Sequence, residues 1–246
     1  MPPYKEQSVV LRSIKLGEAD KIVTVMTQGS GKVRAVAKGI RKTTSRFGAR
    51  LEPFTHVSLM LYHGRGQLDT ITQAEIIAPH MAIREDLGLF AAGETMLEAV
   101  DKVAEEHERN VRLALLLLAG VRVLDTKPTD PGAVAESFML KLLSLSGFHP
   151  SLTACAACGT KDPQLFSPGM GGAVCPRCAE GGVATVSREA LVRLQRLAVV
   201  NLNDAGDVVE EDQRIRKESR GLLYGFAEYY LERRMRSLPM LARTAP

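Results

Sequence analysis

The first 80 residues alternate between short apolar runs and turn-forming residues. Runs rich in β-branched residues occupy positions 8–11, 22–26 and 32–37, and polar and apolar residues alternate in the last of these. Gly29-Ser30-Gly31 predicts a tight turn between the second and third runs. Two further runs, 56–62 and 68–77, flank a glycine-containing turn at 63–67. About five short strands in this length predict a small barrel, of which the OB fold is a five-stranded example.

From residue 81 onward the pattern is that of packed helices. Segments 81–104, 110–126 and 131–146 contain clustered apolar residues and no internal two-residue alternation. Ser187 is a predicted N-cap for a helix that ends near residue 201, and a long helix is predicted over 211–236. In this last helix the residues at helical spacing that are predicted to face a core are Ile215, Leu222, Phe226 and Tyr229. The sequence therefore predicts an α+β multidomain protein, with a barrel over residues 1–80 and a helical domain over 81–246.

The four cysteines form two closely spaced pairs within the predicted helical domain. Cys155 and Cys158 are followed by Cys175 and Cys178 in a C-x2-C-x16-C-x2-C arrangement, with several glycines between the pairs. Two such turns supply the four thiolates of a tetrahedral zinc site. The sequence predicts one structural zinc ion in a ribbon at about 151–186, with a closed coordination shell that leaves no position for substrate. A C-x-x-C redox pair and an iron–sulfur centre are the alternatives.

The positive charge of the chain is concentrated at its N-terminal end. Residues 1–80 contain 12 Lys and Arg and 6 Asp and Glu, whereas the rest contains 20 and 22, and no acidic residue occurs between positions 21 and 51. Such one-sided charge indicates a polyanionic partner. The loop at 38–48 also contains Phe47, an aromatic residue of the kind that stacks on bases. The cations predicted to contact phosphates are Lys32, Arg34, Lys38, Arg41, Lys42, Arg46 and Arg50.

Enzymatic and membrane functions find no support in the pattern of residues. Gly29-Ser30-Gly31-Lys32 lacks the spacing of a phosphate-binding loop, and the histidines show no spacing typical of a nucleophile and base pair. The longest apolar run, from Leu113 to Gly120, is too short to span a membrane, and the N-terminus lacks the pattern of a secretory signal. We expect a cytoplasmic, non-catalytic protein without a membrane partner.

Several stretches of the chain resemble the RecO family of bacterial recombination mediators. In the predicted barrel these are GEADKIV at 17–23, GKVRAVAKG at 31–39, SRFG at 45–48, LEPF at 51–54 and LDTITQAE at 68–75. In the helical domain they are GFHP at 147–150, the four cysteines, and LERRMRSL at 231–238. The resemblance covers nearly the whole chain.

The resemblance implies a non-enzymatic role in DNA repair and recombination. Members of the family bind single- and double-stranded DNA and anneal complementary strands. With RecR they help RecA replace single-stranded DNA-binding protein on gaps. The resemblance thus implies RecR and single-stranded DNA-binding protein as partners, RecA as an indirect one, and a location at the bacterial nucleoid. Some members lack the cysteine quartet, which implies that the zinc supports the architecture rather than the activity.

Two other functions are compatible with the same residues. A zinc-ribbon protein that binds RNA or is associated with translation would share the charge and the cysteines, because phosphate contacts alone do not distinguish DNA from RNA. A metal-dependent hydrolase would need an open position on the metal, which four cysteine ligands do not leave.

Overall fold

The chain folds into two compact units. The computed structural model describes residues 2–42, 45, 47–64, 66–232 and 234–244, the side chains of 242–244 excepted, so the predicted contact residue Arg46 lies outside the described residues. One unit is Met1–Thr126 and the other is Lys127–Pro246. The sequence-based boundary at residue 80 follows the change from strands to helices, and it stays a prediction about domains. No helix in the described part of the chain is long and apolar enough to cross a membrane.

Five strands form a closed barrel at the start of the first unit, which confirms the predicted OB-like fold. Around the barrel β1 is followed by β2, β3, β5 and β4. Strands β2 and β3 are antiparallel neighbours, so the glycine-containing segment between them is a turn, as the sequence predicted. The strands are Tyr4–Leu16 (β1), Asp20–Thr27 (β2), Lys32–Ala37 (β3), His56–Tyr62 (β4) and Asp69–Ala78 (β5).

Closure of the barrel depends on a bent first strand and one short parallel pairing. The first half of β1 pairs with β4 and the second half with β2, with a register shift between Val10 and Arg12. Such an irregularity lets one long strand bend around a barrel. The circle closes where β3 lies parallel to β5, with Ala35 opposite Asp69 and Val36 opposite Thr70.

The barrel core is apolar because alternate residues of each strand point inward. In β3, Val33, Ala35 and Ala37 are buried, whereas Lys32 and Arg34 lie on the outer side and are partly exposed. Burial of each larger aliphatic side chain contributes roughly 1.5–3 kcal/mol to stability. The other buried members of this core include Val10, Val23, Val25, Val57, Leu59, Leu61 and Ile71.

Three helices complete the first unit: Met81–Glu85 (α1), Leu87–Val103 (α2) and Val111–Asp125 (α3). The sequence predicted a single helix over 81–104, but Asp86 has extended backbone and caps α2 by accepting a hydrogen bond from Leu89 N. Arg84 of α1 donates to Pro53 O and Thr55 Oγ1, so α1 is tied to the segment before β4. Gly93 of α2 packs closely on the Phe54 ring, where any Cβ would lie 2.7 Å from Cε1.

The described residues of the second unit form four α-helices and a small three-stranded sheet. Asp130, Ser187 and Asp212 cap α4, α5 and α6 by accepting hydrogen bonds from backbone amides, so the predicted Ser187 cap is confirmed. The short last helix was not predicted. The helices are Pro131–Leu145 (α4), Arg188–Val199 (α5), Gln213–Leu231 (α6) and Leu238–Thr244 (α7), and the strands are Leu165–Ser167 (β6), Gly172–Val174 (β7) and Ala184–Thr185 (β8).

The buried face of α6 differs from the predicted one. Phe226 is buried as expected, but Tyr229 is 56% exposed, and the buried face includes Arg216 and Arg220. Arg220 is buried because Glu136 of α4, 0% exposed, accepts from its Nε at 2.7 Å and also from Arg193 of α5. Arg216 instead donates from Nε to the Glu210 carbonyl oxygen at 3.0 Å. The apolar spacing therefore predicted the helix and the burial of Phe226 correctly, but it was wrong about Tyr229 and did not reveal the buried arginines, because a buried carboxylate on another helix is not visible in local spacing.

Candidate nucleic-acid interface and metal cluster

The basic loop after β3 is held against the barrel by its apolar residues. Ile40, Phe47 and Leu51 are buried members of the barrel core. Lys38, Arg41, Lys42 and Arg50, which are distributed among them in the sequence, are exposed. This segment thus inserts its apolar side chains into the barrel and leaves these four cations in solvent. Phe47 is only 1% exposed, so the expectation that it stacks on a base is wrong.

Backbone contacts fix the first part of this loop to the turn between β1 and β2. Gly39 N donates to Asp20 Oδ1 at 2.7 Å, and Arg41 N donates to Ala19 O at 3.0 Å. The Arg41 guanidinium donates to Gly17 O at 3.1 Å. Gly39 has a φ of +69°, a left-handed conformation that favours glycine. The cations at 38–42 are therefore presented by an ordered segment.

The seven predicted contact cations do not form one group. Lys38 and Lys42 have no carboxylate partner among the described residues. Lys32, in contrast, lies 3.6 Å from Asp101 Oδ1 and donates to the Asp101 carbonyl oxygen at 2.6 Å. Arg34 lies 3.5 Å from Glu106 Oε1. The structure therefore places four exposed cations around the loop and two neutralised cations on β3.

The acidic residues that neutralise β3 come from the end of α2 and the linker that follows it. His107 N donates to Lys32 O at 2.9 Å, and the linker approaches Gly31 so closely that a Cβ there would lie 1.9 Å from Glu108 O. Asp101 also pairs with Arg12 of β1 at 2.7 Å. The sequence displays these acids in a cluster at 101–108, but nothing in it indicates that they pack against β3.

A second polar cluster, which the sequence did not reveal, lies at the turn between β4 and β5. The Asp69 carboxylate is buried and accepts hydrogen bonds from the Tyr4 hydroxyl and from Gly64 N. His63 Nδ1 lies 3.3 Å from Asp69 Oδ1, and the His63 ring stacks on the Tyr4 ring at 4.5 Å with an interplanar angle of 18°. Burial and the hydrogen bond to Asp69 both raise the pKa of Tyr4. The result is an ordered pair of rings at one end of the barrel.

The four cysteines converge in the second unit. Their sulfur atoms lie within 4.8 Å of one another, and Cys158 Sγ is 3.8 Å from Cys175 Sγ. Four thiolates arranged tetrahedrally around an ion at about 2.3 Å lie about 3.8 Å apart. The cysteines are thus positioned to bind one metal ion, in agreement with the predicted ligand set.

Two tight turns and a small sheet create this convergence. Gly159 N donates to Cys155 O, and Cys178 N donates to Cys175 O, so each pair forms its own turn. Strand β6 pairs with both β7 and β8, and Val174 of β7 packs with Cys155 and Cys175 in a small core. Ligands far apart in sequence are thereby held close together.

The surroundings of the thiols favour a bound cation. Amide groups of Cys175 and Cys158 donate to the Cys155 sulfur and lower the pKa of its thiol to about 6. A hydrogen bond to the Cys158 sulfur raises the pKa of Cys178 to about 12. Four neighbouring thiolates repel one another, so all four lose their protons together only when a cation compensates their charge. The donor set and its environment therefore fit a thiolate-bound metal.

Comparison with known proteins agrees with this architecture. Residues 1–80 match the family described as "Recombination protein O N terminal", and residues 84–239 match "Recombination protein O C terminal". The chain belongs to the RecO family. The "DNA repair protein RecO" of Frankia casuarinae is 45% identical over 246 residues, covering 99% of this chain and 100% of that protein. The RecO protein of Nocardioides sp. is 43% identical, and the match covers 98% of this chain and 99% of that protein. The RecO protein of Cutibacterium acnes is also 43% identical, and the match covers 99% of this chain and 100% of that protein. RecO is thus a DNA repair family that this chain matches from end to end.

Proposed function

We propose that this RecO-family chain is a non-catalytic DNA-binding protein that anneals complementary single strands. The observation that carries the proposal is the ordered segment 38–42 of the basic loop, whose cations Lys38, Arg41 and Lys42 are exposed while the apolar residues Ile40 and Phe47 are buried in the barrel. Two complementary strands repel each other through their phosphates. Cations on an ordered surface reduce this repulsion and hold the bases free to pair.

The loop cations are the primary phosphate-binding groups in this proposal. Arg50 joins Lys38, Arg41 and Lys42 because it is exposed at the 3-10 turn that follows the loop. Lys32 and Arg34 have a smaller role because carboxylates already compensate their charges. Arg46 belongs to the proposed set on its sequence position alone. Binding through these groups should weaken steeply as salt concentration rises.

The proposal extends to the partners that the family implies. We infer that the chain acts with RecR to help RecA load on DNA coated by single-stranded DNA-binding protein. Membership of a DNA repair family supports this inference. The bound metal is inferred to be one zinc ion held by Cys155, Cys158, Cys175 and Cys178, since closed sets of four thiolates are typical of structural zinc. Such an ion would cross-link the two turns of the ribbon, and its four protein ligands would leave no coordination position open to a substrate.

A double charge reversal tests the proposal directly. The variant R41E/K42E is compared with R214E/K217E, a matched pair of exposed cations on α6. Affinity for single-stranded DNA, and the rate of annealing of complementary strands with and without a coat of single-stranded DNA-binding protein, are measured over a range of salt concentrations. We expect a loss of at least about 10-fold in R41E/K42E and little change in the control.

Two outcomes would contradict the proposal. Unchanged DNA affinity and annealing in the correctly folded R41E/K42E variant would remove the loop from the interface. Strong preference for RNA over a DNA oligonucleotide of matched sequence would favour an RNA-binding function instead.

A further inference from the structure

The aromatic rings of the barrel that reach solvent are concentrated at one turn. Phe47 and Phe54 are buried at 1% and 0% exposure, and His56 at 3%. Among the described residues of the barrel strands and turns, the rings with the largest exposure belong to Tyr62, which is 42% exposed, and His63, whose side chain is 43% exposed. A single strand bound at the basic loop would find no ring there on which its bases could stack.

The His63 ring has a fixed orientation. One side of it stacks on Tyr4, and Asp69 accepts from Tyr4, faces His63 Nδ1 and accepts from Gly64 N. The turn is tight, because a Cβ on Gly64 would lie 2.0 Å from Leu68 O. A ring that is ordered before binding loses little conformational entropy when a ligand stacks on it.

The ring pair lies at the seam that closes the barrel. Asp69, which holds the pair, is opposite Ala35 in the parallel pairing of β3 with β5. Strand β3 ends at Ala37 and continues directly into Lys38 and the basic loop. One strand of the barrel thus connects the proposed phosphate-binding segment to the neighbourhood of the rings.

We propose that the exposed side of the His63 ring, supported by Tyr4 and Asp69, is a stacking site for one unpaired nucleobase. The ligand class is a base of single-stranded nucleic acid, taken without regard to its identity, because every base presents a flat π-face. A base in a duplex is already stacked and paired, so the site distinguishes single strands from duplexes. This inference rests on the proposed DNA-binding function and adds to it a contact that involves no phosphate.

The test separates stacking from phosphate binding. His63→Ala removes the ring, whereas His63→Phe keeps a flat ring without the contact to Asp69, and His149→Ala removes an exposed histidine from the second unit. Each variant and the wild-type protein is titrated with a single-stranded oligonucleotide, with the same length of abasic strand, and with a duplex. A 2-aminopurine base in the oligonucleotide reports stacking by the quenching of its fluorescence.

We expect His63→Ala to bind the ordinary single strand about 10-fold more weakly, with an unchanged salt dependence and reduced quenching. His63→Phe should recover most of this loss, His149→Ala should match the wild type, and duplex affinity should not change. The wild-type protein should bind the abasic strand no more tightly than the His63→Ala variant binds that same strand.

Equal binding of ordinary and abasic strands by the wild-type protein, or a folded His63→Ala variant that binds and quenches like the wild type, would overturn the stacking site alone. Absence of DNA binding by the wild-type protein would overturn the proposed function itself. Melting curves of the three variants establish that the comparison is made on folded proteins.

Discussion

The barrel and the C-terminal unit place their charged residues in opposite ways. In the barrel, β3 alternates strictly, so Val33 and Ala35 point inward and Arg34 outward. In the C-terminal unit, Glu136 is fully buried between Arg193 and Arg220 from two other helices. The barrel therefore leaves the described cations of its basic loop exposed to a ligand and pairs those of β3 with carboxylates, whereas the C-terminal unit uses arginines to hold its own helices together. Positive residues indicate an interface only where no internal carboxylate is close enough to pair with them.

The largest expected effect comes from removal of the buried carboxylate. Glu136→Ala leaves Arg193 and Arg220 buried without compensation, and we expect the C-terminal unit to lose about 3–5 kcal/mol of unfolding free energy. Chemical denaturation followed by circular dichroism measures the loss, with Glu211→Ala, an exposed position, as the control. A change below about 1 kcal/mol would mean that the cluster does not organise this unit.

The next effect in size concerns the metal. Cys155→Ser should abolish stoichiometric zinc and lower the melting temperature by about 10 °C, while affinity for DNA at low temperature is retained by the barrel. Zinc is quantified with a chromogenic chelator after thiol modification, and Ala156→Ser, an exposed neighbour, serves as the control. Full zinc content and normal melting of Cys155→Ser would remove this residue from the ligand set.

A smaller effect distinguishes Lys42, which has no carboxylate partner among the described residues, from Arg34, which is paired with Glu106. Lys42→Ala should reduce the salt slope of single-strand binding by about 0.7, the value for loss of one phosphate contact. Arg34→Ala should change the slope much less, because Glu106 already compensates Arg34. Salt titrations of both variants, and of Glu106→Gln, measure the difference.

If Arg34 were a phosphate contact equal to Lys42, the Arg34 and Lys42 variants would show the same slope. We expect Glu106→Gln instead to steepen the slope, since it releases Arg34 from its partner.

The smallest effect is a dependence of the first unit on pH. Burial lowers the pKa of both His56 and His80. Arg122 lowers the pKa of His56 further. The hydrogen bond to Asp125 raises the pKa of His80 but only partly offsets the effect of burial. Both rings are then neutral in the folded state but take up protons in the unfolded chain below about pH 6.5.

Stability of the first unit should therefore be constant above about pH 6.5 and fall as the pH decreases from there, by a few degrees in melting temperature at about pH 5.5. Arg84 also lowers the pKa of His80, so the pKa shifts of His56 and His80 both make the first unit less stable at lower pH. Melting curves of the wild type and of His56→Leu measure it. A His56→Leu protein with an undiminished pH dependence would show that His56 does not contribute.

Local features of the sequence were enough to predict most of the elements and the cysteine cluster. Alternation located the five strands, glycines located the turn before β3, and the spacing of Cys155, Cys158, Cys175 and Cys178 predicted the metal cluster, because each of these signals acts over a few residues. The exclusion of acids from positions 21–51 likewise pointed to a basic surface.

Only the tertiary structure decided which of these residues remain available to a ligand. Asp101 and Glu106, about 70 positions away in sequence, compensate Lys32 and Arg34. Phe47 is drawn into the barrel core, and Glu136 holds Arg220 of α6 on the buried side of that helix. His63 becomes an ordered ring only because Tyr4 and Asp69 meet it across the barrel. These outcomes depend on contacts between distant segments, whereas periodicity reports only which residues share a face of one element.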